Sequence, residues 1–229
     1  MNLLQHLEKD EQLFIQLGKR EYLDTLLNGQ IRITQQQYYR YILGENGDFE
    51  EGNQLVTQND NKVHLGGIDS TYIWSCSHTN NQNIDQIKKF KDYDYGLLIL
   101  EPIKFLTSLT ECLTKDPILI NSAEIQHDKI LYTDNELIIE EDDRTPYSRW
   151  TKPLRYMTEY EYRLTIHNTL SPDLINEFFN GKHNNRVEPI NTPFNKKVFH
   201  RIICDFKFDS NFHIYVFEDQ KWTRDYYKK

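Results

Sequence analysis

The sequence predicts an α+β protein: a mixed, largely antiparallel β-sheet core flanked by several short helices. Three observations predict it. Short runs rich in β-branched and aromatic residues recur along the chain. Short amphipathic helical patterns fall among them without strict strand–helix alternation, which disfavours a doubly wound parallel sheet. Aromatic residues make up 13% of the chain, with 15 tyrosines and 12 phenylalanines, and so supply core area that the aliphatic residues alone do not. With no internal repeat and no linker composition, residues 1–229 read as a single domain.

Taken in order, Leu13–Leu17 reads as a strand closed by Gly18. Residues 19–28 read as a helix, with Tyr22, Leu23, Leu26 and Leu27 at helical spacing and Gly29 at the C-terminal cap. Gln30–Ile33 is a second strand and Gln35–Tyr41 a tyrosine-rich helical turn. Glu45–Asn53, with Asn46-Gly47 and Glu51-Gly52, is a loop, as is the Gly66-Gly67 region of His64–Asp69. Thr71–Ser75 reads as a buried strand, Ile84–Phe90 as a short helix and Tyr95–Leu100 as a central strand. Lys104–Leu113 is a helix with Phe105, Leu106, Leu109 and Leu113 on one side. Ile118–Ile125 and Lys129–Tyr132 form a strand pair, Glu140–Arg144 a charged connector and Glu161–Ile166 a strand. Ser171-Pro172 opens a helix running to Phe179. Phe199–Phe208 and His213–Phe217 read as a closing hairpin.

The formal net charge of −8 argues against general binding to a phosphate backbone, leaving local pairs such as Lys88-Lys89 or Lys196-Lys197. A protein or small-molecule target fits this balance. Three dispersed cysteines (Cys76, Cys112 and Cys204) form no CxxC pair, so neither a disulfide framework nor a zinc site is expected. The eight histidines form no HxH or HExxH pair, and no metal ligand is assigned. No apolar run reaches membrane-spanning length and no leader pattern opens the chain, so a cytoplasmic location is expected.

Two stretches carry candidate chemistry. Lys152-Pro153-Leu154-Arg155-Tyr156-Met157-Thr158-Glu159-Tyr160-Glu161-Tyr162-Arg163 sets two glutamates two residues apart. In an extended chain they share a face and repel, unless a cation or a substrate hydroxyl lies between them. The bland alternative is a solvated strand edge in which Arg163 continues the row. The second stretch is Tyr72-Ile73-Trp74-Ser75-Cys76-Ser77, a strand ending in hydroxyl residues. Those serines can bind a ribose or a carboxylate, or simply satisfy backbone groups. His78 follows, but as a base for Ser77 or Cys76 it is poorly aimed, because adjacent strand side chains point apart.

The order of these pieces resembles the DUF2971-like bacterial and phage family. The resemblance rests on Tyr22-Leu23…Leu27-Asn28-Gly29-Gln30-Ile31-Arg32, Asp48…Glu51-Gly52, Trp74-Ser75-Cys76-Ser77 and Lys152-Pro153…Glu159-Tyr160-Glu161-Tyr162-Arg163, across residues 12–167. More distantly, the skeleton is similar to ADP-ribosyltransferases of the arginine–serine–glutamate type. That resemblance implies an NAD-cleaving protein, of the kind used as a toxin or as a phage-defence effector, with NAD as substrate. Glu161 would stabilise positive charge on the ribose, Glu159 would orient the acceptor, and Ser75 would brace Glu161 or the sugar. Tyr72, Trp74, Ser77 and Tyr160 would line the cofactor. The first strand holds no arginine, so Gln16, Lys19 or Arg20 would stand in for that element. A second class fits the same residues: a non-catalytic phage or bacterial interaction protein that binds another protein through an acidic, tyrosine-rich surface.

Overall fold

A computed structural model describes residues 12–40, 54–58, 61–65, 71–80, 95–116, 119, 123–134, 137–138, 150–168, 186–191, 198–206, 214–218 and 221–224. The expected loop at 45–53, the helices at 84–90 and 171–179, and the connector at 140–144 lie outside the described residues, as do residues 66–69 of the expected loop at 64–69, whose first two residues, His64 and Leu65, end a strand instead.

The architecture is α+β, built on a curled, largely antiparallel sheet. Strands β1 (Gln12–Gly18) and β2 (Gln30–Gln35) flank helix α1 (Arg20–Leu27). β3 (Gln54–Gln58) and β4 (Asn61–Leu65) form a small separate sheet with β9 (Leu137–Ile138). The long β5 (Thr71–Asn80) and β6 (Tyr95–Ile99) precede helix α2 (Pro102–Thr114). β7 (Ala123–Lys129), β8 (Leu131–Tyr132), β10 (Thr151–Lys152) and β11 (Glu161–Asn168) follow, and β12 (Val187–Asn191), β13 (Val198–Asp205), β14 (Ile214–Glu218) and β15 (Lys221–Arg224) complete the order. The main sheet runs β12-β13-β2-β5-β1-β6-β14-β15, with β11 paired to both β5 and β7.

Two sequence expectations are corrected. β13 and β14 do not form a hairpin: β13 lies between β12 and β2, and β14 between β6 and β15. Adjacency in sequence suggested the pairing, but apolar alternation does not encode which edge a strand joins. Lys129 belongs to β7, whose ladder with β11 reaches Tyr162, and not to a strand shared with Tyr132.

β5 organises the sheet. Along one edge its C-terminal half pairs with β1 through Gln12↔Asn80 to Ile15↔Ser77. Its N-terminal half pairs with β2 through Thr34↔Ile73 and Gln35↔Tyr72. Between these ladders, residues 74–76 have no ladder partner on that edge among the described residues. β1 and β2 therefore diverge like the tines of a fork, β1 continuing onto β6 and β2 onto β13. Helix α1 connects the tines and buries Leu23 and Leu26 against the sheet. Tyr95 on β6 donates its hydroxyl hydrogen bond to Asp24 Oδ1 at 2.7 Å, tying the helix to one tine.

The main core cluster lies on the helix-bearing face, while Leu13, Ile15, Ile73 and Leu98 are buried on the other. Phe14, Ile31, Ile33, Tyr72, Trp74, Leu97, Ile99, Leu164 and Ile166 alternate inward from their strands and meet Phe105, Leu106, Leu109 and Leu113 of α2. Trp74 lies on Phe105 with ring centroids 5.5 Å apart, and Phe105 meets Phe206 edge-on at 5.3 Å. Pro102 opens α2 at a position where a missing N–H costs nothing.

Gly29 sets the turn from α1 into β2. Its φ of +81° is left-handed, and a Cβ there would sit 2.7 Å from the carbonyl oxygen of Phe206. That approach lets the Phe206 N–H donate to the Gly29 carbonyl at 2.6 Å. Gly29→Ala combines a left-handed strain with a backbone clash. Urea denaturation is expected to show a loss of roughly 2 kcal/mol; an unchanged midpoint would contradict the close approach.

Candidate functional site

The backbone first brings the two candidate stretches together. β11 pairs with β5 so that Glu161 faces Ser77 and Arg163 faces Ser75. Cross-strand partners share a face, so Ser75, Ser77, Glu161 and Arg163 form one polar row opposite the apolar core. Ile15 on β1 closes the row beyond Ser77. Beyond Ser75 the row ends at the fork. Thr34 faces Ile73, so Arg32, two residues along β2, lies on the same face as Ser75.

Glu161 is the centre of the cluster and is only 7% exposed. Its Oε1 accepts from both Nε and Nη2 of Arg163, each at 2.8 Å. Its Oε2 lies 2.8 Å from Lys152 Nζ, which also donates to Glu159 Oε2 at 2.9 Å. The cation that two neighbouring glutamates require is therefore Lys152. The common-face expectation for Glu159 and Glu161 needs correction in its cause. Leu154–Glu159 is a 3₁₀ turn, and Tyr160 caps it in the left-handed region (φ 48°, ψ 41°). Strand alternation does not extend back to Glu159; both carboxylates converge because each reaches the same ammonium group.

Secondary structure fixes that ammonium in place. β10 runs parallel to β8, with Thr151↔Leu131 and Lys152↔Tyr132. Thr133 N–H donates to the Lys152 carbonyl at 2.9 Å. The Glu161 N–H donates to the Tyr132 hydroxyl at 2.7 Å, and the Ile130 N–H to the Glu161 carbonyl at 3.0 Å. The start of β11 is thus held from β5 on one side and from the β7–β8 region on the other.

Burial alone would raise the Glu161 pKa, but the charges and hydrogen bonds of Arg163 and Lys152 outweigh it and hold the carboxyl near 2. Glu161 is a carboxylate at any ordinary pH; it can accept hydrogen bonds or stabilise positive charge, and it is no general acid. Arg163 is fully buried, so the solvated-ladder alternative is excluded for this residue. Burial, with the charge of Glu161, pushes the Cys76 thiol well above its ordinary value, so it is a poor nucleophile. His78 points away from Ser77, and its ring packs on Phe14 and Tyr162 at 5.6 Å each. Burial, aided by Lys129, lowers its pKa to about 4.

The other sequence candidates are dispersed. Tyr72 is buried in the core with its phenol pKa pushed up to about 12 by burial. Tyr160 serves through its backbone, its carbonyl accepting from the His78 N–H at 2.7 Å. Lys19 precedes α1, and Arg20 pairs with Asp24 at 3.4 Å and lies over the Tyr95 ring. Neither lines the cleft at the fork. That cleft, about 160 Å³, is bordered by Gln16, Tyr22, Arg32, Thr34, Trp74 and Arg201, among others, and not by Ser75, Ser77 or Glu161. Sequence reasoning missed Arg32, Arg201 and Tyr132. Arg32 did leave a signal, a charge set between the apolar Ile31 and Ile33 of a short strand. Among the described residues, no group of three His, Cys, Asp or Glu is placed to hold a metal, and no helix is long and apolar enough to cross a membrane.

Two predictions arise from this geometry. Arg163→Met leaves Glu161 buried without its main partner and is expected to cost about 3–5 kcal/mol. Adding Glu161→Gln to that variant is expected to restore a large part of the loss in a urea double-mutant cycle. Strict additivity would show that the pair is uncoupled. The acid limb of stability is expected to have two parts. His78 is neutral in the fold to about pH 4 but protonates near 6.5 when unfolded, so stability falls as pH drops from 6.5 to 4. Glu161, ionised in the fold down to about 2, loses its contribution between about pH 4.5 and 2. His78→Gln is expected to flatten the upper limb and leave the lower one; urea titrations from pH 7 to 2.5 test this.

Compared with family models, with curated proteins and with solved structures, the chain finds no match.

Proposed function

We propose that the chain is an NAD-cleaving, ADP-ribosyltransferase-like protein whose reacting sugar meets the polar row of β5 and β11. The observation that carries this reading is the register that sets Ser77 opposite Glu161 and Ser75 opposite Arg163. Hydroxyl groups and an ionised carboxylate, distant in sequence, then stand in one row whose chemistry suits a ribose.

In this reading the bond between ribose C1′ and the nicotinamide nitrogen breaks. Its electron pair leaves with nicotinamide, and the positive charge passes to the ribose ring. Water or an acceptor nucleophile then bonds to C1′ and gives up a proton. Glu161 acts by charge alone, consistent with its low pKa. Its two oxygens have different freedom. Oε1 is held by the buried Arg163, whereas Oε2 is held by Lys152, an ammonium already shared with Glu159. Lys152 is the exchangeable counter-charge: moved wholly onto Glu159, it leaves Oε2 to the sugar.

One observation favours the second reading, a non-catalytic interaction protein. Both Glu161 oxygens are already ion-paired, and the residue is nearly sealed from solvent, as a purely structural cluster requires. The two readings separate on nicotinamide release. Purified chain incubated with millimolar NAD is expected to liberate nicotinamide, measured chromatographically. Glu161→Gln, checked for folding by circular dichroism, is expected to lose about 100-fold or more of that rate. No release by the wild-type chain overturns the enzyme reading, whatever the variant does.

A further inference from the structure

The cleft at the fork lies across β5 from Glu161 and belongs to neither part of the proposed catalytic row. Its walls come from both tines, from α1 and from β13. Two guanidinium groups dominate it. Arg201 faces Thr34 in the β13–β2 ladder and donates from Nε to Thr34 Oγ1 at 3.1 Å. Arg32 is on the same face two residues along β2. Both stand beside the Tyr22 ring, at 5.3 and 5.8 Å from its centroid. A tyrosine 44% exposed thus gathers two like charges that would otherwise repel.

Among the described residues the charge balance is incomplete. Glu188 lies 3.4 Å from Arg201 Nη1 and 3.9 Å from Arg32 Nη2, so one carboxylate serves two cations. Among the described residues, the buried Arg32 Nε has no hydrogen-bond partner, and neither does the buried Gln16 Oε1 across the cleft. Buried unpaired polar atoms are costly, and both belong to residues that line the cleft, where a ligand would satisfy them. A guanidinium fork with a spare N–H matches a tetrahedral oxyanion. A turned Gln16 amide adds an N–H donor from the opposite wall. The volume of about 160 Å³ is below the roughly 300 Å³ of a drug-sized site, which suits one phosphoryl group rather than a whole dinucleotide.

We propose that Arg32, Arg201 and Gln16 form a subsite for the phosphoryl group of a small ligand, entered where β1 and β2 part from β5. The subsite stands whether or not the chain cleaves NAD. If both hold, it anchors the phosphate-bearing part of that substrate.

Isothermal titration of the full chain with pyrophosphate, ADP and adenosine, at matched ionic strength, tests the subsite. Pyrophosphate and ADP are expected to bind and adenosine is not. Arg32→Gln and Arg201→Gln are each expected to weaken ADP binding about tenfold or more, the loss of one charge-assisted contact. Glu188→Gln removes the competing carboxylate and is expected to tighten it several-fold, a gain that a merely structural role would not produce. Failure of the wild-type chain to bind pyrophosphate or ADP at millimolar concentration overturns the subsite, even if an arginine variant fails to fold. So does ADP affinity unchanged in both arginine variants, or weakened by Glu188→Gln. Nicotinamide release is read in parallel. Release without ADP binding removes only the subsite, and ADP binding without release removes only the cleavage reading.

Discussion

The Arg163–Glu161–Lys152 cluster is the constraint on which the middle of the sheet depends. A carboxylate and a guanidinium, both nearly sealed from water, stand in the ladder that joins β11 to β5. Each would be costly to bury alone, and the loss of either removes a principal charge partner of the other. Their pairing therefore fixes the register: a slip of one residue would send Glu161 and Arg163 into the apolar face among Trp74, Leu164 and Ile166. Hydrophobic burial supplies most of the driving force for this fold, and the charge pair supplies a unique alignment for it.

The fork in β5 is the second consequence of that alignment. β5 is long enough to serve β1 at one end and β2 at the other, with β11 spanning the opposite edge through both halves. A split edge exposes backbone groups unless something covers it. Helix α1, only eight residues long, bridges the tines and packs Leu23 and Leu26 behind them. Tyr22, on the same helix, turns toward Arg32 and Arg201. One short amphipathic helix thus seals the core on one side and furnishes the cleft on the other. The cleft is a product of strand divergence, not of a loop.

Much of this was legible in the sequence, and the illegible part has a common cause. The strand at 12–18, the helix after it, the Gly29 cap and the helix at 102–114 all follow from local periodicity and turn chemistry, which act over a few residues. The resemblance implies a cleft shared by Ser75 and Glu161; the register sets Ser77 opposite Glu161 and Ser75 opposite Arg163, and none of Ser75, Ser77 and Glu161 borders the cleft. Hidden from the sequence were the partners chosen across long separations: Tyr132 beneath the Glu161 N–H, Arg201 beside Arg32, and β13 joining β2 in place of β14. The left-handed conformation of Tyr160 was hidden for another reason. Tyrosine has no preference for that conformation, so only the surrounding hydrogen bonds impose it. Its effect was large, because it replaced strand alternation by a shared lysine as the reason two glutamates meet.

The charge state of Glu161 bears on both functional readings in opposite senses. A carboxylate with two cations beside it has little net field left for a developing positive charge, which favours structure over chemistry. The two cations are not equivalent, however. Arg163 lies in a fully buried site and serves Glu161, whereas Lys152 already divides itself between two carboxylates. Glu159 is 30% exposed at its side chain, so the ammonium keeps one carboxylate partner, nearer water, when it gives up Glu161. Displacing it restores the negative field of Glu161 while Arg163 keeps the side chain in place. A structural cluster needs only one cation per carboxylate; the second carboxylate, at the water-facing end of the same lysine, gives the cluster a position to which that cation can move.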